Sequence, residues 1–446
     1  GKTICQAKSQ FGSEHKVGLE YRVRVPMASR YVVLDMFAGA GGLTEGFFRN
    51  DFNIVSHIEM NTHAARTLET RTLYHALHAK GHQEIYERYY NQKTTRDEFL
   101  DECKSLGIPD SGVINCELSR VTEDSIVKKI YGRLAEIGRD DVDVIIGGPP
   151  CQAYSLIGRG RDPESMRNDP RNLLYLHYLR FINEFEPEVF VFENVPGLIS
   201  AKNGEIYSDF LQRIDRLGYY TNAEPQILNA RDFGVLQNRK RIIFIGWKKG
   251  YDFEYPVFGC DEPPYHVWNV LTDLPELEPG TGTDGPQSYR AIRPCKYLRK
   301  YEIRNGQKSV RHHVARTHID RDREIYRIAI QMWKEGKRLH YDDLPENLKT
   351  HKNRSSFRDR FKVVDGDGLS HAVVAHLSKD GHYFIHPDIK QARSLTVREA
   401  ARLQSFPDNY LFEGPRTAQY VQIGNAVPPL MANGIAREIK DLLEKV

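Results

Sequence analysis

The chain has 446 residues, 28% of them charged and 40% hydrophobic. That is enough for two or three domains around a sizeable core, and no apolar run is long enough to cross a membrane. A net charge of +3 does not mark the whole chain for a polyanion, so any basic surface must be local.

The six cysteines (Cys5, Cys103, Cys116, Cys151, Cys260 and Cys295) include no CxxC pair. That spacing argues against a structural zinc site and against a disulfide framework, and a reducing cytoplasm is the simplest home. The first residues lack the apolar core of a signal peptide.

Residues 1–30 read as a polar extension. From Tyr31 the pattern predicts a strand to Phe37, a tight loop Ala38-Gly39-Ala40-Gly41-Gly42, and a helix from Leu43. Strand, glycine loop and helix open a Rossmann-like nucleotide site, where glycine lets backbone approach a ligand closely. A second strand, 52–58, ends in Glu59, twenty residues after Gly39. A carboxylate there suits a ribose with free hydroxyls. Thr44 stands where a dinucleotide fingerprint would have its third glycine. S-adenosylmethionine therefore fits better than NAD.

Residues 64–112 read as a solvated helical insertion. Residues 112–118 form a third apolar stretch with Glu117 near its end, and 124–137 predicts a helix. Val142 to Ile146 is a buried strand, stopped by Gly147-Gly148-Pro149-Pro150, with Cys151 next. A thiol at a strand end on stiff backbone can serve as a nucleophile, or simply as a small buried hydrophobe. The loop 152–171 carries Arg159, Arg161, Arg167 and Arg171, and is long enough to be a functional loop.

Helical spacing over 173–185 precedes a strand, 187–192, ending in Glu193-Asn194-Val195. Residues 204–217 predict a helix. Gln237, Arg239 and Arg241 alternate toward one side ahead of the strand 242–246. After Trp247 the regular alternation stops, and an irregular domain extends to about 392. It has two basic clusters. Nine Lys/Arg face one acid between Arg290 and Arg316, and six face one between Lys349 and Lys362. Such clusters suit a phosphate backbone or form a solvated face. The histidines 371, 376, 382 and 386 lack metal spacing and read as structural. Thr396 and Glu399 form a capping box. A final helix, 430–443, packs back on the first domain and brings Asn425 near the glycine loop.

Asp35-Met-Phe-Ala-Gly39-Ala-Gly41-Gly, Glu59, Gly147-Gly-Pro-Pro-Cys151-Gln, Glu193-Asn-Val, Gln237-Asn-Arg-Lys-Arg241, residues 394–407 and Gly424-Asn-Ala-Val-Pro-Pro occur in one order. In that order the chain resembles the DNA (cytosine-5) methyltransferases of bacterial restriction-modification systems. The resemblance implies an α/β, Rossmann-like S-adenosylmethionine-dependent domain (31–247, with the 64–112 insertion). It implies a smaller target-recognition domain (248–421) and a C-terminal segment (422–446) returning to the first. It places Phe37, Ala38, Gly39, Gly41, Gly42, Glu59, Met60, Glu117, Leu118, Pro150, Leu174, Asn425 and Val427 around the cofactor. Two positions depart from the family pattern: Glu117 stands where aspartate is usual, and Met60 where an aromatic residue is common.

The implied chemistry uses Cys151 as the nucleophile at carbon 6 of a flipped cytosine, Glu193 at N3 and the amine, and Arg239 or Arg241 at O2. Methyl transfer to carbon 5 and β-elimination follow, giving S-adenosylhomocysteine, and no metal is needed. Expected DNA contacts are Gln152, Ser155, Arg159, Arg161 and Arg167 in the loop, and Arg290, Arg293, Arg311, Arg354 and Arg358 beyond it. Double-stranded DNA is the implied partner, with a cognate endonuclease as a second. Monomer and cytoplasm are the family defaults. The alternatives are a tRNA cytosine-5 methyltransferase of the same fold, a DNA-binding regulator without catalysis, and a nicotinamide-dependent oxidoreductase.

Overall fold

A computed structural model describes residues 31–150, 173–222, 224–259, 265–304, 306–349 and 359–445. Cys151, the 152–171 loop, Arg354 and Arg358 lie outside the described residues.

An eight-stranded sheet organises the chain. β1 (Val32–Met36), β2 (Asn53–Glu59), β3 (Val113–Asn115), β4 (Val144–Gly147) and β5 (Val189–Asn194) run parallel in the order 3-2-1-4-5. These strands are continuous apolar runs because both faces are covered. β6 (Tyr219–Thr221) and β7 (Ile227–Asn229) both pair antiparallel with the long β9 (Lys240–Lys248), which pairs antiparallel with β5. The order reverses between β2 and β4 on either side of β1, and ligands of such sheets bind at that crevice.

On one face lie α5 (Glu123–Glu136), α6 (Leu174–Phe185) and α7 (Glu205–Arg216). On the other lie α1 (Gly42–Phe48) and three late helices: α9 (Val397–Leu403), α10 (Arg416–Asn425) and α11 (Pro429–Leu443). α8 (Asp320–Lys334) belongs to a smaller cluster with Leu339, Tyr341, Phe361 and Ile385. α11 packs on α1, where a Cβ on Gly46 would sit 2.2 Å from the Ala432 carbonyl carbon. A Cβ on Gly42 would sit 2.2 Å from the Val427 carbonyl oxygen, so the two segments are in backbone contact.

The boundary at 421 does not match the packing. Leu395, Val397, Ala400, Leu403, Phe406 and Tyr410 share one core with Val33, Val144 and Ile243 of the sheet. Residues 395–420 therefore belong to the sheet's core.

The insertion is also more than a solvated excursion. It forms α2 (Thr62–Lys80), α3 (Gln83–Tyr90) and α4 (Arg96–Ser105), with Asn61 capping α2 and a Thr95–Glu98 capping box on α4. Leu73, Leu77, Tyr86, Phe99 and Cys103 make a small core that takes in Leu411. The Tyr86 and Tyr90 hydroxyls donate to the carbonyls of Asn409 and Asp408, at 2.6 and 2.8 Å. Their partners lie more than 300 residues away, so local pattern could not show this docking.

The predicted capping box is formed: Glu399 accepts from Thr396 N at 2.7 Å and Thr396 Oγ1 from Glu399 N at 3.2 Å. Around it three arginines are wholly buried. Arg393 bridges Glu399, and Arg398 donates to the carbonyls of Arg311, Pro407 and Tyr410. Arg402 lies between Asp273 (2.5 Å) and Asp408 (2.6 Å). Burial alone would raise the Asp408 pKa, but Arg402 and Arg398 hold it below the ordinary value. Removing one member of a buried charge set strands the others. Arg402→Ala should therefore cost about 3–5 kcal/mol in urea unfolding. A loss under about 1 kcal/mol would show that this pairing does not hold the fold.

Candidate active site

The parallel strands end on one edge, which carries the glycine loop, Glu59, the Pro149-Pro150 turn and Glu193. Phe37 follows β1, and its φ of 56° is unusual for a bulky residue and marks local strain. Gly41 caps α1 with a φ of 81°, and a Cβ there would lie 2.8 Å from both Leu68 and the Tyr410 hydroxyl. That hydroxyl donates to the Ala40 carbonyl at 2.5 Å and pins the loop from the C-terminal segment. Gly39 has nothing within 4 Å of where its Cβ would be, so this side of the loop is open.

Glu59 closes the next strand end. Its two oxygens accept from Gly39 N at 2.8 Å and Asn61 N at 2.7 Å. Burial is the largest influence and raises its pKa. Met60 and Glu117 are exposed, while Leu118 is buried beside them. Asn115 donates to the carbonyls of Glu59 and Met60, tying the second and third strand ends together.

These groups suit S-adenosylmethionine. No lysine or arginine among the described residues forms an ion pair with Asp35 or Glu59, which flank the loop. A pyrophosphate would meet uncompensated negative charge, whereas a sulfonium is drawn to it. The open side of Gly39 admits a ligand, and Glu59 keeps lone pairs for ribose hydroxyls.

Beyond β4 the backbone reaches Pro150, which is exposed. Asn194, buried at the end of β5, donates to the Pro149 carbonyl at 3.2 Å and accepts from Val195 N at 2.8 Å. It ties the turn that precedes Cys151 to the strand that carries Glu193. Because β9 runs antiparallel, its first residues lie beside the end of β5, with Glu193 opposite Ile243. The diagonal neighbour Arg241 reaches across, and its Nε lies 2.7 Å from Glu193 Oε1. The other oxygen, Oε2, faces β4: a Cβ on Gly148 would be 2.6 Å from it. Glu193 thus has one oxygen held and one turned toward the Pro-Pro turn.

Gln237, Arg239 and Arg241 do not share a target. The strand breaks at Arg239, between β8 (Gln237–Asn238) and β9. Gln237 bonds Leu403, Gln404 and Val373. Arg239 is wholly buried and donates to the carbonyls of Val373, Gly424 and Ala426. It fastens the C-terminal segment rather than facing the cleft, so its expected role at O2 is corrected. Arg311 is corrected likewise. It is buried and engaged by Asp284 and by the Asp284 and Tyr90 carbonyls, so it is closed to DNA. Arg290 is exposed but bridges Glu276, and Arg293 is exposed. Leu174 opens α6 half-buried, Asn425 is exposed at the end of α10, and Ala38 is buried. Sequence reasoning missed the tie from Asn194 to the turn, although Asn194 lies within the Glu-Asn-Val motif.

Comparison with known proteins decides what this arrangement belongs to. Residues 119–441 match the C-5 cytosine-specific DNA methylases.

The chain is a member of that family.

It is 44% identical over 440 residues to the type II methyltransferase M.Bpa9945I of Bacillus paralicheniformis, covering 92% of this chain and 99% of that protein. It is 30% identical over 412 residues to M1.HphI of Haemophilus parahaemolyticus, covering 91% and 86%. A crystal structure described as a DNA modification methyltransferase encoded within an E. coli prophage has the same fold. Its TM-score is 0.61 at 22% identity, covering 93% of this chain and 99% of that one. The chain is thus an enzyme of the DNA cytosine-5 methyltransferase class on the S-adenosylmethionine-dependent fold.

Gly148→Ala should displace the Glu193 carboxylate without touching the glycine loop. Methyl transfer should slow more than tenfold, as for a lost acid–base group, with S-adenosylmethionine affinity kept. Equal turnover in a single-turnover assay would show that the space beside Gly148 is not needed.

Proposed function

We propose that this enzyme methylates carbon 5 of cytosine at a specific site in double-stranded DNA, through covalent attack by Cys151. The observation that carries the reading is the meeting of Glu193, Arg241 and the Pro149-Pro150 turn at one sheet edge beside the glycine loop.

Carbon 5 of cytosine is too poor a nucleophile to react unaided. Adding the Cys151 thiolate at carbon 6 makes carbon 5 enamine-like. Thiolate suits this because it is soft and leaves readily afterwards. Negative charge builds on the ring during attack, and Glu193 answers it. Arg241 fixes one carboxyl oxygen, and the oxygen facing the turn offers a proton or hydrogen bond at N3. The same carboxyl recognises the exocyclic amine, and Arg241 takes the O2 side. The loop from Phe37 to Gly42, Glu59 and the neighbouring Met60, Glu117, Leu118, Pro150 and Asn425 would hold S-adenosylmethionine, which would supply the methyl group and leave as S-adenosylhomocysteine. Loss of the carbon 5 proton then expels Cys151. The cytosine must leave the duplex for this, and the 152–171 segment is the candidate to close over it. In a bacterial cytoplasm the product would protect DNA against a cognate endonuclease, a role supported by the type II relatives.

Labelled methyl transfer to DNA and to tRNA, with the product base identified, tests the reading. Transfer to RNA alone, or none, would overturn it. Cys151→Ser should abolish methylation while cofactor and DNA binding survive, and retained turnover would remove Cys151 from the chemistry. Glu193→Gln should slow transfer more than tenfold, whereas an unchanged rate would exclude an acid–base role.

A further inference from the structure

Outside the site, a cavity of about 220 Å³ lies between the end of α8 and residues 359–371. Asn238, Trp333, Arg338, Phe361, Lys362 and His371 line it. It has room for one ring system rather than a cofactor. Its lining joins aromatic and cationic groups with two carboxylates, Asp359 and Asp365. The half-buried Trp333 offers aromatic surface, and Arg338 and Lys362 offer cations for a phosphate, while Phe361 is buried against Tyr341 and His382. Arg338 is exposed and makes no hydrogen bond or ion pair with any described residue. Lys362 pairs with the half-exposed Asp359 at 3.1 Å and lies over the Tyr383 ring, 5.3 Å from its centre.

His371 adds a polar reader. Its Nε2 donates to the Tyr383 carbonyl at 2.5 Å, so the neutral ring leaves Nδ1 as an acceptor. Burial pushes its pKa down to about 4, with Lys362 and Arg338 adding to the shift. Asn238 can both donate and accept.

The position is as informative as the lining. His371 pairs in register with Asn238, and Asn238 precedes Arg241 by three residues on the chain that enters the catalytic edge. Three residues of extended backbone span at most about 11 Å. DNA advances 3.4 Å per nucleotide along a strand, so about three steps cover that distance.

We infer that this cavity holds one nucleotide of the DNA within about three base pairs of the target cytosine, and that it sets which base is accepted there. Arg338 and Lys362 hold the phosphate, and Trp333, Asn238 and His371 meet the base. The inference rests on the DNA-methylating reading above, and it assigns sequence choice to residues outside both basic clusters except Lys362.

The test is methylation of unmethylated genomic DNA by the wild type and by the Arg338→Ala, Trp333→Ala and Trp333→Phe variants, with methylcytosine mapped by sequencing. The wild type reports the recognised site. Arg338→Ala and Trp333→Ala should lower kcat/KM on a duplex carrying that site by about tenfold. Trp333→Ala should also relax the base requirement at one position within about three base pairs of the methylated cytosine, whereas Arg338→Ala, which loses only a phosphate contact, should lower turnover evenly across sequences. Trp333→Phe should restore most of that requirement, and cofactor affinity should stay constant throughout. An unchanged site in Trp333→Ala, at any rate of turnover, would overturn the inference. So would relaxation only at more distant positions. A wild type that methylates no DNA would sink the earlier reading and this one with it, whereas an active wild type with unaffected variants would sink this one alone.

Discussion

The buried arginine at 402 is the constraint on which the molecule's assembly depends. A guanidinium cannot be left uncompensated in an interior, so Asp273 and Asp408 must reach it together. Asp273 comes from the irregular region and Asp408 from the turn after α9. Tyr289 adds a hydrogen bond to Asp408, and its ring lies under Arg304. Once that turn is fixed, its neighbours are placed with it. Asp408 and Asn409 receive the tyrosines of the insertion, and Tyr410 reaches the glycine loop. Ser405 accepts from the first turn of α11. One buried charge set therefore gathers four stretches of chain that are remote in sequence and orients the loop that meets the cofactor.

That dependence explains which parts of the molecule could be read in advance. The parallel strands were legible because burial on both faces makes them β-branched and apolar, and their ends carry Glu59, Glu193 and the Gly-Gly-Pro-Pro turn. The amphipathic helices at 123–136, 174–185 and 205–216 were legible for the same reason. What failed were arginines and tyrosines. Arg239, Arg311, Arg398 and Arg402 look like surface residues in any local window, yet each is buried with backbone carbonyls or carboxylates as partners. Their partners are distant along the chain, so no spacing rule reports them. The insertion was misjudged for the same cause: its tyrosines read as solvated until their acceptors are known.

The site itself was legible as a set of residues and less so as an arrangement. Glu193 and Arg241 could be paired by expecting two strand ends at one cleft. That β9 runs antiparallel, and so brings its beginning rather than its end to Glu193, needed the sheet. The division between the two carboxyl oxygens also needed it. A carboxylate pinned on both oxygens could not respond to charge developing on a ring. One held only on Oε1 keeps its orientation and leaves Oε2 able to respond.

The segment from Gln237 to Arg241 then has a physical logic that alternation alone does not convey. Gln237 and Arg239 turn inward and are held by carbonyls of the C-terminal segment. Asn238 faces the cavity by α8, and Arg241 faces Glu193. Because the two inward residues are each held by three hydrogen bonds, the two outward ones cannot shift independently. A displacement at Asn238 must either break the contacts of Arg239 or be carried toward Arg241. If the cavity receives a nucleotide near the target, that rigid link couples which sequence is bound to how Glu193 is set. Discrimination would then appear in the rate of methyl transfer as well as in DNA affinity.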